Sequence, residues 1–439
     1  MEHHSTAGAI RRMDDGAPRA WLIVGLFAFA LLVRLWFSLV VHRPEDFVFS
    51  DMWVYDLRAR NLLSGKLGPW DTFTPPGYPA FLAALYAISG RSLAFVAVVQ
   101  ALLGAATAPL ALLVARRVTR STILSLGAGV LVAAHLPSVY YGGFLLAETP
   151  FTFGVVLSVW LLLRAAEAPG WRRALLAGLA LGASTVIRPN LLLFLPLLPL
   201  WSWLGSGDGR RLLGAPNLRF TAQILAGALP LLALASAHNS RLLGRPTGLG
   251  TNGGLNFFLA HAPVRGAEYV EGGFTHRIVP IPNLMWHEEV HRSEVAFYDE
   301  GHFYRLGLRG ILEEPSRLLA SLDNLVEGAG VGRQSIWPGW KGRERLLSRY
   351  GPWFFALVIA PALAGLALRR GERGSRLLLA AFLASAIATL YGFLGDPRMR
   401  VPFDPLLIVL AVDAWAAALG FAFGRARRDE PDVPLLTTT

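Results

Sequence analysis

Cysteine is missing from all 439 residues. That excludes disulfides, zinc-thiolate sites and thiol catalysis, and it leaves the redox compartment unread. Charge is scarce as well. Only 16% of the residues are Asp, Glu, Lys or Arg, against 54% hydrophobic, with a mean hydropathy of +0.45. A soluble domain rarely has that balance. The 30 acidic residues are outnumbered by 41 basic ones, for a net charge of +11. No separate basic domain collects the excess, so nucleic acid is not the expected partner. Basic loops beside anionic headgroups account for it better. No internal repeat and no glycine-rich nucleotide-binding motif is present. Alternating strands of the transmembrane-barrel kind are missing too.

What is present in quantity is long apolar runs. "AWLIVGLFAFALLV" (20–33) carries no charge, and the run resumes after Arg34. Residues 145–163 hold one charge, Glu148, close to one end. Residues 352–368, 377–395 and 405–412 repeat the pattern. A bilayer core of about 30 Å needs roughly 20 such residues per helix. The expectation is an all-α polytopic membrane protein with about ten spans. They fall near 20–41, 93–115, 122–140, 145–163, 174–187, 190–204, 220–240, 352–368, 377–395 and 403–424. The organisation that follows is a transmembrane module over 1–240 with a first outer loop at 42–92. A loop subdomain at 241–351, the last helices at 352–424 and a tail at 425–439 complete it. No convincing cleavage site follows the polar N-terminus, so the first span is expected to stay as an anchor.

Arginine sorts the connections. One set holds Arg11, Arg12 and Arg19; Arg116, Arg117 and Arg120; and Arg164, Arg172 and Arg173. It continues with Arg210, Arg211 and Arg219; Arg369, Arg370, Arg373 and Arg376; and Arg425, Arg427 and Arg428. The positive-inside rule places this set, and both termini, in the cytoplasm of a cell-membrane protein. Residues 76–90, "PGYPAFLAALYAISG", fit that alternation only as a short helix on, or dipping into, the outer face. The opening loop, Glu148, "RPN" at 188–190, the segment 241–351 and "GDPRMR" at 395–400 then share the outer face. Polar features from distant parts of one chain, gathered at one membrane boundary, suit an active site better than a permeation path.

Within "FVFSDMWVYDLRARNLLSG" (47–65), a helix puts Asp51 and Tyr55 on one face. An acid just outside the bilayer can serve as general base for a hydroxyl; the competing reading is a solvated loop carboxylate or a helix cap. Glu148 sits at the mouth of a span, where a carboxylate is costly without a partner or a role; the alternative is an interfacial Glu in water. Arg188, Arg398 and Arg400 lie on the side the positive-inside rule disfavours, and a guanidinium fork suits phosphate. Their alternative is snorkelling to lipid phosphate. Arg34 reads as snorkelling or structural. The glycines of "TNGGLNFFLAH" (251–261) favour a tight turn or a close backbone approach to a ligand, with Asn256 as a candidate contact. "EEVHRSEVAFYDEGHFYRLGLRG" reads as a helix, and a second helix is expected from Pro315.

Two other functions compete. "HEEVH" (287–291) fits the H-E-x-x-H pattern of a zinc metalloprotease. His302 and Glu294 are its possible third ligands but fit no typical spacing, and the polar "HRSE" that follows is unlike an intramembrane protease helix. A sugar-lipid transporter would show polar residues at mid-membrane in paired broken helices and some internal symmetry, and neither is evident.

Taken in order, the first span, the loop acid, "PPGYPAFLAAL", the acid after the third span, "TNGGLNFFLAH", "EEPSRLL" and "RMRVPFDPLL" resemble a known family. It is the GT-C membrane glycosyltransferases, in particular the dolichyl-phosphate-mannose protein mannosyltransferase and lipid A aminoarabinose transferase group. The resemblance covers most of residues 20–415. It implies transfer of a sugar, usually with inversion, from a polyprenyl-phosphate carrier on the non-cytoplasmic face. The acceptor would be a lipid, a glycan or a protein. It also implies Asp51 as base, Glu148 as the second acidic residue, and Arg398 and Arg400 facing the carrier phosphate. Tyr55, Arg188 and Asn256 are the further substrate-binding candidates. Many relatives carry a second acid beside the first; this chain has Met52 there, which weakens a metal-chelating version of the loop. No cofactor is required by the sequence, although a divalent cation remains possible.

Overall fold

The computed structural model describes residues 18–206, 211–261, 298–331, 343–368, 373–393 and 395–428. They are helical throughout, with no strand among the described residues. In chain order the helices are α1 (Ala20–Trp36, prolonged by a wider turn through Val41), α2 (Ser50–Ser64), α3 (Gly77–Ser89), α4 (Leu93–Thr119) and α5 (Thr122–Ala133). Next come α6 (Leu136–Gly142), α7 (Glu148–Glu167), α8 (Trp171–Ile187), α9 (Leu198–Ser206) and α10 (Ala215–Leu243). They are followed by α11 (Asn252–His261), α12 (Glu300–Glu313), α13 (Ser316–Ala320), α14 (Leu322–Gly328) and α15 (Arg343–Phe354). The last are α16 (Ala360–Leu368), α17 (Arg373–Gly392), α18 (Pro397–Arg400) and α19 (Asp404–Arg428).

Among the described residues, seven helices are long and apolar enough to cross a bilayer: 20–41, 93–119, 148–167, 215–243, 349–367, 374–392 and 397–420. α5 and α6 make an eighth if their 43° bend lies within one span. The remaining two expected spans are helical but short. α8 has 17 residues and opens on Trp171, Arg172 and Arg173, and the stretch 189–205 is broken by 3₁₀ turns at its prolines. Pro189 removes a backbone donor and pushes Arg188 into extended geometry, which ends α8. α3, with 13 residues, is about 20 Å long and cannot span. It packs against α2 instead.

The interior is a continuous apolar cluster built from α1, α4, α5, α7, α8, α17 and α19. Phe194 meets Phe382 at 4.2 Å between ring centroids, and Phe151 meets Phe403 edge-on at 5.9 Å. The outside is also apolar: Trp21, Val24, Leu32 and Trp36 of α1 and Leu229 and Leu234 of α10 are exposed. That inverted surface is what a lipid belt covers.

The paired glycines of α11 have a packing role. A Cβ on Gly254 would lie 2.2 Å from the Glu300 carbonyl oxygen, so the close approach is to α12 rather than to a ligand. The start of α11 is tied to the connection between α2 and α3: the Thr251 and Asn252 amides donate to the carbonyls of Thr72 and Phe73 at 2.9 and 3.0 Å. Of the helix expected over 288–310, residues 288–297 lie outside the described residues, Tyr298 and Asp299 are not helical, and the remainder is helical from Glu300 as α12; the helix expected from Pro315 is present as α13. "HEEVH" lies outside the described residues.

Candidate active site

α2 opens under local tension. Ser50 has φ +50°, the left-handed region, which a non-glycine residue occupies at a cost of about 1–3 kcal/mol. The next residue is Asp51, in the first turn, where the helix N-terminus favours a carboxylate. Met52, beside it, is fully buried in apolar packing. One turn on, Tyr55 is buried with its ring edge-on to Tyr78 at 4.9 Å. Burial, and then the Asp51 charge, push its phenol up to about 12, so it stays a proton donor at neutral pH.

Glu148 begins α7. Its approach is set by Gln100, a buried amide in the first third of α4, which donates to the carbonyls of Phe144 at 2.7 Å and Gly142 at 3.2 Å. The Tyr78 hydroxyl donates to the other end of Gln100 at 2.7 Å. Arg188 stands at the end of α8. Arg398 stands in α18, where Asp396 caps the turn by accepting from the Arg398 amide at 2.8 Å. Gly395 is needed there, because a Cβ would lie 2.3 Å from the Asn324 backbone.

These four side chains meet. Arg398 donates through Nη1 to Asp51 Oδ2 at 2.6 Å and through Nε to Glu148 Oε1. Arg188 donates through Nη2 to the same Glu148 oxygen at 2.7 Å. Two carboxylates and two guanidinium groups balance in charge, which is what makes such a cluster tolerable inside a protein. Their exposures differ. The Asp51 side chain is 29% exposed, while that of Glu148 is 1% exposed. Asp51 therefore faces outward, and Glu148 sits behind the arginines and aligns both of them. The Arg398 guanidinium occupies the space between the two acids, where a bridging cation would otherwise sit. Among the described residues no three His, Asp or Glu side chains are grouped to hold a metal ion.

Not every expected residue joins. Arg400 is bound to Asp404 through two bonds, at 2.8 and 3.2 Å, donates to the Gly328 carbonyl, and lies 4.8 Å over the Phe354 ring. His135 approaches the same Asp404 at 3.3 Å. Arg400 thus braces α18 against α19 beside the cluster. Asn256 is half-buried on α11, and the cluster's ion pairs do not involve it. Arg34 is structural: it turns inward and donates to the Ala133 carbonyl at the end of α5, at 3.0 Å. Asp56, five residues past Asp51, is a different kind of acid. Arg91 grips it with two bonds at 2.8 and 3.0 Å, Tyr86 donates to it at 2.8 Å, and Arg60 lies 3.2 Å away. Arg58, also buried, donates to the Thr74 carbonyl and hydroxyl and secures the connection between α2 and α3. Gln100 shapes the site with no sequence signal beyond being an amide inside an apolar span, and Tyr78, Gly395 and Asp396 carry none that marks them either.

A helical membrane bundle that gathers paired acids and arginines at one end defines the class of protein to compare. Residues 50–204 match the family described as dolichyl-phosphate-mannose-protein mannosyltransferase. That segment carries Asp51, Glu148 and Arg188. Arg398 lies beyond it. No curated protein sequence matches the chain. Among solved structures the chain is similar to the Archaeoglobus fulgidus oligosaccharyltransferase tethered with an acceptor peptide, at 14% identity and a TM-score of 0.44. The overlap covers 93% of this chain and 51% of that one, so the chain spans about half its length. At that TM-score the overlap transfers no residue roles. Over about a third of its length, then, the chain is similar to a family of membrane mannosyltransferases, and its described residues carry seven helices long and apolar enough to cross a bilayer.

Proposed function

We propose that this protein transfers a sugar from a polyprenyl-phosphate carrier to a hydroxyl-bearing lipid, glycan or protein acceptor, with inversion, at the end of the bundle that holds Asp51. That end faces away from the cytoplasm in this reading, because the Arg-rich connections lie at the other end. The observation that carries the proposal is the Asp51–Arg398–Glu148–Arg188 cluster. Asp51 is its most accessible member and accepts the proton of the acceptor hydroxyl. The oxygen attacks the anomeric carbon as the bond to the carrier phosphate breaks, and a single displacement inverts that centre. Arg398, held at Asp51 by its own ion pair, exchanges that partner for the departing phosphate and stabilises its charge. Arg188 and Glu148 keep the Arg398 fork in register. Nucleotide sugars are cytoplasmic, so a site at this end calls for a lipid-linked donor.

The test is incubation of the purified full-length protein with labelled polyprenyl-phosphate sugars. Release of polyprenyl phosphate with label in an acceptor supports the reading. Binding or translocation of the intact donor with no bond cleavage would instead favour a transporter.

A further inference from the structure

A cavity of ≈ 900 Å³ opens at the opposite end of the bundle. Its position follows from α7, which runs from Glu148 to Glu167: nineteen residues of helix put roughly 29 Å between the acid–arginine cluster and this cavity. Glu167 and Arg117 form part of its wall, with Trp171, Trp201, Arg219 and Phe220. The cavity lies where the bundle carries its arginines, at the level where spans end and tryptophans settle between apolar and polar surroundings.

Its charge is positive on balance. Arg117 is neutralised by Glu167 through two bonds, at 2.8 and 3.2 Å. Arg219 is exposed, and no carboxylate among the described residues pairs with it. The starts of α8, α10 and α17 also line the cavity, at Trp171, Ala215 and Gly374, and each brings the positive end of its helix dipole. The neighbouring surface is apolar: Leu204 of α9 and Leu218 of α10 are exposed on the two helices that border it. The opening is therefore continuous with the lipid-facing belt, and a ligand carrying both a negative head and an apolar tail fits it better than a soluble anion. The volume is in the range of small-molecule sites and suits a headgroup with the first part of its acyl chains.

We infer that this cavity is a binding site for an anionic glycerophospholipid of the Arg-rich leaflet, with its phosphate at Arg219 and its glycerol and proximal chains against Trp201 and Phe220. The bound lipid joins α8, α9, α10 and α17 at one end, and α8 carries Arg188 at the other. The inference needs only the membrane fold and stands apart from the chemistry proposed at the Asp51 end.

The experiment is native mass spectrometry of the full-length protein in detergent, titrated with dioleoyl phosphatidylglycerol, dioleoyl phosphatidylcholine or glycerol 1-phosphate. The expected result is a phosphatidylglycerol adduct at lower concentration than the phosphatidylcholine one, and a much weaker response to glycerol 1-phosphate. Arg219→Gln weakens the phosphatidylglycerol adduct by roughly threefold to tenfold, as expected for one charged hydrogen bond near the surface. Arg219→Lys keeps most of it, and Arg120→Gln, on the same side outside the cavity lining, leaves it unchanged. Equal adducts with the two phospholipids, or equal losses in Arg219→Gln and Arg120→Gln, would overturn the site. Glycerol 1-phosphate binding as tightly as phosphatidylglycerol would overturn the lipid as occupant.

Discussion

Arg398 donates to Asp51 at 2.6 Å although 347 positions separate them in the chain. Its Nε meanwhile binds Glu148, 250 positions away. One guanidinium thus joins the first outer loop, the mouth of α7 and the short α18. A planar fork with fixed donor directions makes that possible; an ammonium does not.

Arg398→Lys is accordingly expected to fail as a conservative change. Lysine keeps the charge but cannot hold both acids at once. The expected loss in transfer is about 10²-fold or more, the usual cost of one lost donor to developing charge. Turnover by the variant, measured against the quantity of folded protein, checks this. Arg398→Ala takes one of two guanidinium partners from the buried Glu148 and the 2.6 Å donor from Asp51, and up to about 3–5 kcal/mol of stability is expected to go with it.

Gly395→Ala tests how Arg398 is aimed. The added Cβ meets the Asn324 backbone, which cannot swing aside as a flexible side chain would. α18 must shift, at about 1–3 kcal/mol for the overpacking. Transfer is expected to fall by more than the thermal midpoint alone would explain, whereas Gly25→Ala, at a site with open space, is expected to change neither.

Gln100→Leu keeps the volume but removes the donor to the Gly142 carbonyl and the acceptor of the Tyr78 hydroxyl, while the Phe144 carbonyl keeps only the Leu146 amide at 2.9 Å. Each buried group left unpaired costs about 1–3 kcal/mol. A clear drop in thermal midpoint in detergent, with reduced transfer at low temperature, is the expected result.

The lack of native cysteine makes sidedness directly measurable. Ser64→Cys, at the end of α2, is expected to react with a membrane-impermeant maleimide in intact cells. Arg120→Cys, after α4, is expected to react only after the membrane is opened. The reverse pattern would invert the topology.

Much of this was legible in the sequence because it rests on period and placement. Apolar length marked the spans, and arginine asymmetry sorted the connections into two ends. Asp51, Glu148, Arg188 and Arg398 stood out as charges on the arginine-poor side. The pairing of Arg400 with Asp404 was not readable, since two residues along one short helix point to different neighbours. Nor was the role of Gly254, whose close contact is with the α12 backbone that only the fold brings near. Asp56 and Asp51 look alike in sequence. Burial and the grip of Arg91 and Tyr86 separate them.

Those two carboxylates, five residues apart on one helix, supply the most direct test. Transfer per folded molecule and thermal midpoint are to be measured for Asp51→Asn and Asp56→Asn with a labelled polyprenyl-phosphate sugar known to serve the wild type. The account predicts that Asp51→Asn loses transfer by about 10²–10⁴-fold and stays folded, while Asp56→Asn loses stability and keeps its turnover per folded molecule. Wild-type turnover in Asp51→Asn would contradict it.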